Sequence, residues 1–326
     1  MKDNNNILKY LRGIIMKKYI ILPDVTCDLS LELREKFGLQ DYIKGHINLP
    51  DGSERVSSLE WDWVKPEEFY KLLKDKKNGI ATSPSSVDEI ENVFEKYIDK
   101  GYDILSMSIS SGLSGTYNFS LKAREEILSQ HPSAKIICID SKRYSTAFGL
   151  LVCTALNLQK EGKTIEEVAS FVENNKNLLH QMGPMDDLFF LASKGRVSGG
   201  KAFMGSLIGI RPMGDFNDLG MTTVLVKVKG KAAALDTTIK YIKETIIKPE
   251  EQYIFIAHTD REKEANIYKE KILDEFKPKD VFVTECFPSC GTNIGPGLCG
   301  VYYYGKPLSE NLIEEKKIMD KITGKE

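Results

Sequence analysis

An α/β fold in two domains is predicted by three observations. Apolar runs of strand length alternate with helix-length segments, polar loops rich in glycine and hydroxyls close several of those runs, and 326 residues give room for two cores of ordinary size. The boundary is placed at 163/164, before a mid-chain helix. It separates a tail or mis-annotated start, residues 1–15, from a first domain, 16–163, and a second domain, 164–326. The net charge of −2 and the absence of a long lysine or arginine run exclude a nucleic-acid surface. Six cysteines lack CxxC pairing and several sit in apolar runs, so they read as buried reduced thiols of a cytoplasmic protein, not as disulfides or zinc ligands. No stretch reaches the roughly 18 uncharged apolar residues that a spanning helix needs.

Within the tail, Asn4-Asn5-Asn6 and short interrupted apolar content do not make a signal peptide, and Met16-Lys17-Lys18 directly precedes the first strand, which makes Met16 a candidate start. Tyr19-Ile20-Ile21-Leu22-Pro23 is that strand. It ends in Asp24-Val25-Thr26-Cys27-Asp28, ahead of helical spacing over 29–37, with Asp28 read as the cap of that helix and Asp24 left open. Residues 47–53 read as a strand into a turn. Trp61 and Trp63 alternate with Asp62 as strand residues would, and serve packing, while Pro66 opens a helix over 65–74. Ala81-Thr82-Ser83-Pro84-Ser85-Ser86 is a hydroxyl-rich loop that opens onto a helix over 87–97.

The run Ile104-Leu105-Ser106-Met107-Ser108-Ile109 leads through Ser110-Ser111-Gly112-Leu113-Ser114-Gly115-Thr116 into a helix over 117–129. A strand, a loop of glycines and hydroxyls, then a helix N-terminus offers backbone N–H groups and serine donors to an anion; an ordinary loop capped by Thr116 fits the same spacing. With the Thr82-Ser83 loop on an adjacent parallel strand, the two would converge at the carboxyl edge of one sheet. Lys135-Ile136-Ile137-Cys138-Ile139-Asp140 is a further strand. The helix over 145–159 that follows carries no charge from Ala147 to Cys153 and is buried nearly all round, either as a core helix or as the wall of an apolar pocket.

Thr164 and Glu167 stand in capping-box spacing for a helix over 164–176. Asp187-Leu188-Phe189-Phe190-Leu191 reads as a strand leading into Ser193-Lys194-Gly195-Arg196-Val197-Ser198-Gly199-Gly200-Lys201-Ala202 and an apolar helix through Phe203, Met204, Leu207 and Ile208. Gly195 to Lys201 fits the GxxxxGK core of a phosphate-binding loop, but Ala202 stands where a hydroxyl would hold Mg²⁺, so the segment reads as a basic, glycine-hinged loop. Residues 209–213 and 221–228 form a hairpin. It runs on into Lys227-Val228-Lys229-Gly230-Lys231, a solvated tip or a docking surface for an acidic partner. Strands follow at 254–258, 281–285 and 301–304, with a helix over 262–275, a glycine-dense loop over 291–300 and a peripheral helix after Leu312.

The segments Asp24-Val25-Thr26-Cys27-Asp28-Leu29, Thr82-Ser83, Ser110 through Tyr117, Asp140-Ser141, Lys194-Gly195-Arg196-Val197, Ile210-Arg211-Pro212 and Gly295-Pro296-Gly297 stand in an order and spacing that resemble the DegV family of bacterial fatty-acid-binding proteins, from Lys18 to about Pro307. The resemblance implies a mainly parallel sheet in the first domain and a mixed sheet in the second. It also implies a long-chain fatty acid buried in a tunnel between them. Its carboxylate would be held by Thr82, Ser83, Ser110, Ser111, Ser114 and Asn293, and its acyl chain walled by Phe148, Leu151, Phe203 and Leu207. Arg196, Arg211 and Lys229 would contact a partner or a phosphate. That partner is a separate ATP-dependent fatty acid kinase that makes the acyl-phosphate; the DegV-like protein supplies binding without catalysis, cofactor or metal, and is free to touch a membrane surface transiently without inserting. The family pattern has histidine where this chain has Asn293, serine at Val25, arginine at Lys229 and lysine at Arg211. An amide donates to a carboxylate but supplies neither charge nor proton, and lysine lacks the planar two-point contact of arginine.

Two enzyme readings compete: a nucleotide-binding or phosphoryl-transfer enzyme using Gly195 to Lys201, and a serine hydrolase in which Gly112-Leu113-Ser114-Gly115-Thr116 approximates GxSxG with His258, at a strand end, as base. A purely structural role is the remaining alternative.

Overall fold

The computed structural model describes residues 17–75, 77, 79–198 and 209–325. Residues 1–15 and Met16, the Gly199-Gly200-Lys201 end of the basic loop, and Phe203 and Leu207 lie outside the described residues.

Strand β1 (Tyr19–Pro23) is wholly buried and runs into a 3₁₀ turn, Val25–Cys27, capped by Asp24, whose side chain accepts from the Thr26 N–H. Helix α1 (Leu31–Phe37) is capped by Ser30, which accepts from the Leu33 N–H, and ends at Gly38 with φ of 75°. Asp28 is therefore not the cap. Ser30 lies one residue before the helix in extended geometry and takes that role, while Asp28 turns its carboxylate inward at φ of 48°.

Strands β2 (Gly45–Asn48) and β3 (Glu54–Ser57) pair antiparallel, and helix α2 (Pro66–Leu73) follows, with Pro66 in its first turn. The tryptophans before α2 lie in irregular chain and not in a strand; Trp61 packs edge-on against Phe69 and Tyr70 and tilts over Phe287. Thr82 and Ser83 lie on an edge strand, β4 (Ala81–Pro84), instead of a loop. It pairs antiparallel with β2 in a sheet of order β3-β2-β4, and so is not a neighbour of the strand before Ser110. Helix α3 (Val87–Ile98) starts at a complete capping box between Ser86 and Glu89.

Strand β5 (Asp103–Ser108), helix α4 (Thr116–Gln130) and strand β6 (Ile136–Asp140) complete a parallel sheet of order β1-β5-β6. Helix α5 (Ser145–Lys160) is the apolar helix expected, and α6 (Ile165–Asn175), opened by the Thr164–Glu167 capping box, packs on α5, β5 and β6. After β7 (Leu179–Met182) comes α7 (Leu188–Ser193), a helix where the sequence reading has a strand: the apolar run is too short for its period to decide, and Asp187 caps it by accepting from the Phe190 N–H.

Strands β8 (Ile210–Phe216) and β9 (Thr222–Lys229) form the expected hairpin, followed by α8 (Lys231–Thr245), β10 (Tyr253–His258), α9 (Glu262–Phe276) and β11 (Asp280–Glu285). The first part of the glycine-dense segment is a helix, α10 (Pro288–Ile294). Gly291 lets it press on Phe69 and Tyr70 of α2, and only Gly295-Pro296-Gly297 turns the chain into β12 (Cys299–Tyr304). Helix α11 (Ile313–Thr323) ends the described chain. The second sheet has the order β11-β10-β12-β7, with β10 and β11 parallel and β12 antiparallel to both neighbours, so it is mixed. Among the described residues no helix is long and apolar enough to cross a membrane.

Helix α5 touches β1 of the first sheet and β7, β10 and β12 of the second, and one hydrophobic core runs through both. Its close seat on the Val25–Cys27 turn depends on Gly149, where a Cβ would run into the Cys27 carbonyl and the Leu29 side chain. Gly149→Val is expected to destabilise by roughly 1–3 kcal/mol, read as a lower urea midpoint.

Candidate functional site

The loop after β5 is shaped from behind. Ser110 is wholly buried; its hydroxyl donates to the Leu219 carbonyl (3.0 Å) at the β8–β9 tip and accepts from the Gly112 N–H (3.2 Å). A side chain at Gly112 would collide with that same carbonyl, so glycine is what allows the tip to press on the loop. The next residue faces the other way: the Ser111 N–H donates to Asp140 Oδ1 (3.1 Å), and its hydroxyl accepts from Lys142 Nζ (3.0 Å), itself 3.0 Å from Asp140 Oδ2. Ser114 Oγ lies 2.8 Å from Thr116 Oγ1 and accepts from the Thr116 N–H (3.3 Å). Gly115, not Thr116, is the cap residue of α4, and it brings no side-chain acceptor to the first N–H groups.

Opposite this loop stand β4 and α10. Asn293 Nδ2 donates to Thr82 Oγ1 (2.9 Å) and to the Ser289 carbonyl (3.1 Å), and Asn48 Nδ2 donates to Ser83 Oγ (3.3 Å). Between the two walls lies a cavity of about 350 Å³, within the range of small-molecule sites. Thr82, Ser83, Ser111, Ser114 and Asn293 all line it, as do the apolar Val25, Ile109, Leu113, Leu191 and Ile294. Its charged lining is Asp24, Lys44 and Arg196. Burial raises the Asp24 carboxyl above its ordinary value, against hydrogen bonds from the Thr26 hydroxyl, the Ile109 N–H (2.7 Å) and the Thr26 N–H (2.9 Å). Arg196 donates to the Lys194 carbonyl.

The other residues singled out in the sequence lie elsewhere. Ser110 braces the loop from behind the cavity, and Phe148 and Leu151 sit fully buried in the main core, away from the cavity lining. Arg211 on β8 is buried and ion-paired with Asp186 (3.0 Å) and Glu264, while Lys229, at the exposed end of β9, does not line the cavity. His258 lines a separate cleft beside Glu285 (3.8 Å), and burial lowers its pKa to about 4; no described histidine reaches Ser114's cavity to serve as its base.

Lys44 and Tyr144 are lining residues that the sequence reading missed. Tyr144 carries no motif. Its hydroxyl lies 2.8 Å from Gln181 Oε1 and 2.6 Å from Thr222 Oγ1, which ties the cavity wall to a buried ion pair. In that pair His180 places Nδ1 2.6 Å from Asp215 Oδ2 and Nε2 2.7 Å from the Lys306 carbonyl. A carbonyl only accepts, and a carboxylate beside a ring nitrogen does the same, so both nitrogens carry protons and His180 is an imidazolium. Burial alone would lower its pKa; the Asp215 charge and hydrogen bond, then the Lys306 carbonyl and Glu315, raise it overall. Asp28 is a second buried group. It accepts from the Ser145 hydroxyl (2.6 Å) and the Phe287 N–H (3.0 Å), and burial lifts its pKa to about 7 despite those bonds.

A family model described as "Uncharacterised protein, DegV family" matches residues 18–306. A DegV domain-containing protein of Clostridium perfringens is 35% identical over 292 residues, covering 89% of this chain and 98% of that protein. A solved structure from Thermotoga maritima, described as revealing a fatty acid binding function, superposes with a TM-score of 0.75 at 25% identity, over 89% of this chain and 100% of that one. The fatty acid kinase B3 protein of Streptococcus pneumoniae, solved loaded with linoleic acid, superposes with a TM-score of 0.75 at 20% identity, again over 89% and 100%. The chain belongs to the DegV family.

Proposed function

We propose that the protein is a cytoplasmic carrier that binds a long-chain fatty acid in a tunnel between its two domains, 16–163 and 164–326. The carboxylate lies against the hydroxyls of Thr82, Ser111 and Ser114, with Ser83 and Asn293 beside Thr82. The acyl chain leaves along Val25, Ile109, Leu113, Leu191 and Ile294. The observation that carries this reading is the meeting, in one cavity, of hydroxyls from strand β4 and from the loop after β5 with the apolar side chains of Val25, Ile109, Leu113, Leu191 and Ile294. An acyl chain gains roughly 0.8 kcal/mol per buried CH₂, while its head group needs donors because an unpaired buried carboxylate is very costly. The relatives described as fatty-acid-binding support the ligand class. Six free thiols, five of them buried, are consistent with a reducing compartment.

The name of the Streptococcus pneumoniae relative supports a finer step, in which the bound acid is presented to a separate ATP-dependent kinase that forms the acyl-phosphate. In that arrangement the chain itself binds and presents, and Lys44 and Arg196 are the cations that line the cavity.

Denaturing mass spectrometry of organic extracts from the purified protein is expected to recover a stoichiometric fatty acid. An empty protein whose melting temperature shifts with ATP and not with oleate would overturn the carrier. Ser111→Ala with Thr82→Ala is expected to weaken oleate binding at least tenfold with an unchanged circular dichroism spectrum, since each hydroxyl gives a hydrogen bond to a charged group worth about 1.5–3 kcal/mol. Unchanged affinity refutes the head-group assignment.

A further inference from the structure

We propose that Asn293 is a positioning residue that acts through Thr82: its amide turns the Thr82 hydroxyl into a one-way donor aimed at the cavity, which favours an anionic, acceptor-only head group. The inference rests on the carrier reading and says how that site tells a carboxylate from a neutral head.

The direction of the bonds follows from the chemistry of the partners. The Ser289 carbonyl can only accept, so the side of the Asn293 amide that faces it, at 3.1 Å, is the NH₂ group. The same nitrogen lies 2.9 Å from Thr82 Oγ1, so Thr82 is the acceptor in that pair. Both amide hydrogens are thereby committed, one to a helix carbonyl and one to a hydroxyl, and none is left for a ligand. Thr82 in turn has one proton. Its hydroxyl donates in no other hydrogen bond among the described residues, and the residue borders the cavity.

Two features hold the amide in place. Asn293 sits in the last turn of α10, where its side chain returns to the carbonyl four residues earlier. That helix is seated against Phe69 and Tyr70 because Gly291 has no side chain: a Cβ there would lie 2.7 Å from Tyr70 Oη. The seat of the helix, the amide and the hydroxyl form one chain of fixed contacts that ends at the head group. None of Asn293, Ser289 and Thr82 titrates near neutral pH.

A donor oriented in this way helps an anion more than a neutral acceptor, because a charge-assisted hydrogen bond is roughly twice as strong as a neutral one. The test is a double-mutant cycle on the full chain with Thr82→Val, Asn293→Leu and both together. Dissociation constants for palmitate and for hexadecanol are measured at pH 8. Each single variant is expected to weaken palmitate about tenfold and hexadecanol threefold or less, and the double variant is expected to match Thr82→Val within twofold. The selectivity ratio reads orientation, which a general loosening of the fold would not move. If the leucine variant does not fold, Asn293→Ala takes its place in the same cycle. Additive losses near a hundredfold in the double variant, or an unchanged palmitate-to-hexadecanol ratio in the Asn293 variant, overturn the inference. A wild-type protein that binds neither palmitate nor hexadecanol overturns instead the carrier reading beneath it.

Discussion

Asp215→Ala lowers the unfolding free energy at pH 6 by about 3–5 kcal/mol, the largest single-site loss expected in this chain. The carboxylate is wholly buried and accepts from His180 Nδ1 (2.6 Å), the Gln181 and Phe216 N–H groups (each 2.8 Å) and the Tyr241 hydroxyl (2.9 Å). Truncation takes from the imidazolium its hydrogen-bonded counter-charge and leaves two backbone donors with no acceptor. The pH dependence has a definite sign. His180 has a folded pKa raised above its unfolded value of about 6.5, so its contribution is complete below that value and is lost as pH rises through the folded pKa. The gap between wild type and variant in urea titrations therefore narrows above pH 6.5. A gap under 1 kcal/mol at pH 6, or one that widens with pH, contradicts the imidazolium.

Asp28→Asn stabilises the protein at pH 8 by roughly 2–4 kcal/mol. Asp28 is an acid whose folded pKa, about 7, lies above an unfolded value near 3.9, so the native state holds a proton that the unfolded state has released. Stability then falls as pH rises between those values, by about 1.4 kcal/mol per pH unit at the steepest, and above pH 7 the full cost of a buried charge is present. Asparagine keeps an oxygen for the Phe287 N–H and presents its amide to Ser145 Oγ without that charge. Chemical denaturation at pH 4.5 and pH 8 decides the matter: the variant gains at pH 8 and little at pH 4.5, and destabilisation at pH 8 refutes the account.

The buried parallel strands were legible because Ile104 to Ser108 and Ile136 to Asp140 are apolar runs of strand length, and the all-buried helix because nothing charged interrupts 147–153. What escaped was decided by tertiary contacts. Ala81 to Pro84 has the composition of a loop, yet its backbone completes β2's second edge; residues 187–191 have the composition of a strand, yet Asp187 caps them as a helix turn. Gly291 looked like loop glycine and is helical; its missing side chain leaves room for α2's aromatic rings. Within the site, hydroxyl-rich segments that open onto helices, together with the family resemblance, signalled Thr82, Ser83, Ser111 and Ser114, but the same signal selected Ser110, which faces backward onto Leu219. Tyr144 and Lys44 reach the cavity through chain geometry alone, and no local pattern marks either.

The cavity wall is gathered from residues around 24, 82, 111, 144, 196 and 293, so no fragment of the chain contains it. Any molecule held there binds the completed fold and not its parts, and at a hundred times its dissociation constant adds about 2.7 kcal/mol to the stability of the whole. Resistance to limited proteolysis, at cleavage points far from the cavity, then becomes a gauge of occupancy. In a mixed sample the unoccupied copies are then the first to be cleaved.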